Sequence, residues 1–87
     1  MKNKRFIGID VSKSTLDVYI HQVSFHFMVS NSTSDFPTLL EICCKQLNCK
    51  ISELYFCFEN TGRYSRPLAV FLTESEIHFT MAPAMDN

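Results

Sequence analysis

Tryptophan is absent from this chain of 87 residues, and glycine and proline are scarce, at two and three. So few turn formers argue against a loop-rich scaffold and for regular elements joined by short connections. An excess of one charge is lacking too. Eight basic and nine acidic side chains leave a net charge of −1, which gives no bulk electrostatic footprint for a nucleic acid. The four cysteines, Cys43, Cys44, Cys49 and Cys57, form no CxxC pair, which argues against a structural zinc site. No apolar run approaches the roughly 20 residues that a membrane-spanning helix needs. The basic N-terminus is not followed by the apolar stretch and cleavage site of a secretory signal. The expectation is a cytoplasmic chain with free thiols and no membrane partner, in which Cys43 and Cys57 pack as small hydrophobes.

What the chain does have is apolar residues. Hydrophobic types make up 46% of the sequence, with eight Phe among them, ample for one core. Its length suits a single small domain, 1–87. Arg5 to Val11 reads as a strand apolar on both faces, the pattern of a central strand covered on two sides. Asp17 to His21 reads as a second strand. In Val23 to Ser30 the residues Val23, Phe25, Phe27 and Val29 alternate with polar ones and Met28, which marks a third strand with one buried face. From Asp35 to Leu47, with Pro37 in the first turn, Phe36, Leu39, Leu40, Cys43 and Leu47 fall on one helical face. Ser52 to Glu59 is a fourth, apolar strand. A helix capped by Ser65 runs to about Ser75, and Glu76 to Met81 makes a last strand ended by Pro83.

The order β-β-β-α-β-α-β predicts an α/β fold with a mixed sheet: an antiparallel group extended by right-handed crossovers. The first strand then lies beside the fourth, with the second and third on one side and the fifth on the other. Asp10 and Glu59 both come at the ends of buried-looking strands, where open α/β sheets place their sites. A carboxylate against an apolar sheet is costly unless paired or bound to a cation, and a hard divalent ion takes oxygen ligands. That points to Mg2+ (or Mn2+) held by Asp10 and Glu59 for phosphodiester chemistry. The plainer alternative is a pair of strand-end carboxylates bonded to loop amides. Ser12 and Lys13 after the first strand, and Thr61, Gly62, Arg63 and Arg66 after the fourth, are candidate nucleic-acid contacts positioned on phosphate. Lys2, Lys4 and Arg5 add a basic group before the first strand. His21, His26 and His78 form no recognisable ligand pattern.

GIDVSKSTLDVYI, followed by FENTGRYSRPLAVFLTESEIHFTMAP, resembles the N-terminal DEDD domain of insertion-sequence family one-ten transposases. That family also holds the Piv-type invertases and the bridge-RNA-guided recombinases. The likeness runs from Phe6 to about Ala84 and rests on the GIDVSK strand-and-turn and on the ENTGRY loop leading into RPLA. It implies a RuvC-like, RNase H-like sheet, with the family's first two acidic ligands at Asp10 and Glu59. It further implies DNA transposition or recombination, DNA and a guide RNA as partners, and a homo-oligomer in a longer protein. The family's two remaining aspartates and its serine nucleophile have no counterpart in these 87 residues, Asp86 falling too soon after the last strand. The expectation is therefore a partial active site, incomplete at the C-terminus and inactive by itself. Two other readings compete. One is a module that only binds DNA, RNA or a full-length transposase. The other is an actin-like ATPase fragment, which the lack of glycine directly after Asp10 disfavours.

Overall fold

The computed structural model of the protein describes residues 4–84; Lys2 and Asp86 lie outside them. Ten elements follow one another, of which five are strands and two are α-helices. The strands are β1 (Arg5–Val11), β2 (Thr15–Ile20), β3 (Phe25–Ser30), β4 (Leu54–Glu59) and β5 (His78–Ala82), and the helices are α1 (Phe36–Leu47) and α2 (Arg66–Glu74). The sheet order is β3-β2-β1-β4-β5, as the element order predicts. β1 pairs antiparallel with β2 and parallel with β4, while β2–β3 is antiparallel and β4–β5 parallel. The class is mixed α/β.

Strand pleating sends alternate residues to opposite faces. Ile7, Ile9 and Val11 of β1, Leu16, Val18 and Ile20 of β2, and Leu54, Phe56 and Phe58 of β4 all point to one face and are buried. Both crossover helices cover that face. Phe36, Leu39, Cys43 and Leu47 of α1 and Leu68 and Leu72 of α2 complete one continuous core. The helices meet where the Phe36 and Phe71 rings lie 5.3 Å apart.

Here the sequence expectation for β1 is corrected. β1 is central, but the described residues cover it on one side only. Phe6 is 56% exposed, and Asp10 is exposed on the same face. Apolar character on the second face comes from Phe6, which tilts against Tyr55 of β4 at 5.1 Å and so finds a neighbour within the sheet rather than beneath a helix. Cys57 is corrected likewise: it is exposed on this open face, while Cys43 is buried and its thiol is pushed up to about 12 by that burial.

Boundaries shift by one or two residues. A 3-10 turn at His21–Val23 closes the β2–β3 connection, with Ser24 left-handed at φ 51, so β3 starts later than its alternation suggests. Neither helix has a side-chain bond at its N-cap, Ser65 of α2 included. Asp35 reaches back to accept from the Ser30 N–H at 3.1 Å and the Ser30 hydroxyl at 2.6 Å, and these two bonds hold its carboxyl below the ordinary value of 3.8. At the far end of α1, Asn48 adopts φ 51 and donates its N–H to Cys44 O and Lys45 O, closing the helix in the left-handed manner. No helix among the described residues is long and apolar enough to cross a membrane.

Candidate functional site

In the parallel β1–β4 ladder Ile9 stands beside Phe58, so the next residues, Asp10 and Glu59, leave neighbouring strands at their carboxyl ends. Pleating places both on the open face, and both are exposed. On the other side of β1, Asp17 of β2 stands directly opposite Asp10. Asp17, Asp10 and Glu59 therefore form a row across three strands, with Cβ spacings of about 5 Å between neighbours.

Like charges in such a row repel. At one end of the row His26 of β3 hydrogen-bonds Asp17, Nε2 to Oδ1 at 3.1 Å, while its ring stacks on Tyr19 at 4.5 Å. The histidines form no ligand pattern in the sequence; the pairing of His26 with Asp17 depends on the β2–β3 register, which puts Asp17 against Met28 and Tyr19 against His26. The one ion pair between permanently charged groups among the described residues is Arg5–Glu53, and Asp17 has only His26 beside it, so neither Asp10 nor Glu59 is charge-compensated there. A shallow depression of about 470 Å³ opens over them, lined by Gly8, Asp10, Tyr19, Cys57, Glu59 and Thr61, among others. Among the described residues no group of three or more His, Cys, Asp or Glu side chains is placed to hold a metal ion.

The loops beyond these strand ends are closed by their own hydrogen bonds. After β1, the Ser12 N–H donates to Thr15 O at 3.0 Å and the Ser12 hydroxyl pairs with Thr15 Oγ1 at 2.7 Å. That hydroxyl is thus committed to the turn, while Lys13 beside it is exposed. After β4, Gly62 takes φ 67, a left-handed conformation that suits glycine, and donates its N–H to Asn60 Oδ1 at 2.9 Å. Ser65 is fully buried, and its hydroxyl accepts from the Thr61 N–H at 3.1 Å and donates to Gly62 O at 3.2 Å. It is the internal lock of this loop and not a helix cap.

Asn31, in the connection between β3 and α1, ties the two loops together. Its Nδ2 donates to Ser12 O and to Tyr64 O, both at 2.9 Å. Its own Oδ1 and the Thr61 Oγ1 are buried without hydrogen-bond partners, and Thr61 shares the lining of the depression with Asp10 and Glu59.

The structure therefore brings together Asp10, Glu59 and Thr61. Gly62, Arg63 and Arg66 line a separate groove of about 660 Å³, with Val70, Thr73 and Met81 along it. Ser12 and Lys13 line neither. The basic group at the start of β1 is partly engaged, since Lys4 donates to Ser52 O at 2.9 Å and Arg5 pairs with Glu53 at 3.8 Å. No protein-family model matches this chain, and no curated protein matches it.

Proposed function

We propose that this chain carries the first two acidic ligands of a DEDD-type transposase site on an RNase H-like, RuvC-like sheet, acting in DNA transposition or recombination. The observation that carries the proposal is the placement of Asp10 and Glu59. They are neighbours at the carboxyl ends of two parallel central strands, on a face open to a polymer, without charge compensation among the described residues. A pair of hard oxygen donors of this kind fits Mg2+ or Mn2+. When bound, such an ion polarises a phosphodiester and stabilises charge developing on its oxygens.

The chain's own residues do the rest. Asp10 and Glu59 fix where a phosphate can approach, and the Asn31 bridge holds the two flanking loops at constant separation. Arg63 and Arg66, with Lys13 on the neighbouring turn, offer cations to the nucleic-acid backbone and read no sequence. Guide RNA and further copies of a longer transposase belong to the same reading as partners.

Two carboxylates are fewer than the three or four that two-metal sites use, so the chain by itself is expected to bind cation and DNA without cutting. Supercoiled DNA incubated with the chain and Mg2+ or Mn2+ should stay unnicked. Gel shifts at low salt should show DNA binding that weakens in Arg63→Ala and Arg66→Ala. Robust metal-dependent nicking that disappears in Asp10→Asn would mean that two carboxylates suffice. Absence of DNA binding at low salt would overturn the nucleic-acid reading.

A further inference from the structure

β3 forms one edge of the sheet, and its hydrogen bonds identify which of its peptide groups are free. Asn31, one step beyond the Thr15–Ser30 pair, donates its N–H to Ser14 O at 2.8 Å. Antiparallel ladders alternate. Phe25, Phe27 and Val29 therefore bond to β2, and His26, Met28 and Ser30 aim their N–H and C=O groups at the free side. The Ser30 N–H is taken by Asp35 Oδ2. At the other end Ser24 is left-handed and donates its N–H to His21 O. Between these two stops, the peptide groups of His26 and Met28 are left free.

Natural edge strands are blunted by lysine, proline or a bulge. The sequence of β3, FHFMVS, contains neither lysine nor proline and pairs with β2 at every residue. Met28 is 57% exposed, Val23 just before the strand is also exposed, and Phe25 and Phe27 are half-buried.

We propose that β3 pairs antiparallel with β3 of a second copy of this chain, about a two-fold axis at Phe27. In that register each His26 stands opposite Met28 of the other copy and exchanges both N–H···O=C bonds with it. All the free donors of both edges are then used. Phe25 faces Val29 and Phe27 meets its counterpart on the helix-covered side, with no like charges opposed. Centring the axis on His26 would call on the N–H of Ser24, and centring it on Met28 would call on that of Ser30; both are already committed. The pairing makes one continuous sheet with both open faces on the same side. The two Asp10 residues are then five strand spacings apart, roughly 24 Å across the sheet, and the two Glu59 residues lie one strand further out on each side. The interface does not depend on the metal reading.

Sedimentation velocity and amide hydrogen exchange over a concentration series of the wild-type chain test it. A contact this small is expected to give a reversible dimer with Kd on the order of 100 µM. His26 and Met28 amides should gain protection as concentration rises, while the amides of β5, at the opposite edge, should not change. Met28→Pro deletes an outward N–H at an edge position and leaves the β2 ladder intact. It should weaken the dimer at least about tenfold and keep a native circular dichroism spectrum. A chain still monomeric at about 1 mM, well above the expected Kd, overturns the proposal. So does concentration-dependent protection on β5 in place of β3, or a folded Met28→Pro that dimerises as tightly as wild type. If Met28→Pro fails to fold, the exchange series on wild type decides alone.

Discussion

Replacing Asn31 tests whether the two loops beside the carboxylates are one mechanical unit. Its amide donates two hydrogen bonds to backbone carbonyls, Ser12 O and Tyr64 O. Each such bond contributes about 1 kcal/mol net, so Asn31→Ala removes about 2 kcal/mol. The same substitution deletes the buried, unpartnered Oδ1, and relieving that atom returns about 1 kcal/mol. The difference is a loss of about 1 kcal/mol, which for a chain of this size lowers Tm by about 4–8 °C. Asn31→Asp keeps the shape but turns the donor into a charged oxygen facing two carbonyl oxygens. It should cost more than the alanine, about 2–4 kcal/mol. Urea melts at pH 7 should therefore rank wild type above Ala and Ala above Asp. Native-state hydrogen exchange should show the Ser12–Thr15 turn and the Gly62–Ser65 loop loosening together. An alanine variant as stable as wild type, an aspartate variant no worse than the alanine, or loosening of one loop alone would refute the bridging role.

Two further outcomes follow from charge. Asp10 stands opposite Asp17 across the β1–β2 ladder, so Asp10→Asn should raise metal-free stability by roughly 0.2–1 kcal/mol, read from the urea midpoint in EDTA; a lower midpoint would count against repulsion in the row. Asp35 has its carboxyl lowered by the Ser30 bonds, so the stability it contributes is fully present above 3.8 and is lost as pH falls through its folded value. The gap between wild type and Asp35→Asn in acid-to-neutral denaturation series should therefore close below that pH, and a gap that persists at lower pH would show that the bonds do not depend on the charge.

The strand order was legible because it follows from two local signals, alternation in β3 and apolar runs broken by helical spacing, joined by the handedness of crossovers. The pair Asp10 and Glu59 was legible for the same reason: each is a charge placed at the end of an apolar strand. The open face of β1 was not, because Phe6 and Gly8 carry the same apolar signature whether a helix or only water lies above them. Asn31 was illegible in a different way. Its partners are 19 and 33 residues away, and nothing in a run of serines and threonines marks which polar side chain turns inward. His26 and Asp17 likewise meet only through strand register. Ser65 carried a capping signature but is consumed by the loop before it.

The central claim is that Asp10 and Glu59 share a hard divalent cation. Titrating Mn2+ into the isotope-labelled chain and following paramagnetic broadening of its amide signals tests this most directly. Broadening should centre on Gly8–Val11 and Cys57–Asn60, with affinity falling at least about tenfold in Asp10→Asn and in Glu59→Gln. Broadening that is absent, centred elsewhere, or unchanged by both substitutions would contradict it.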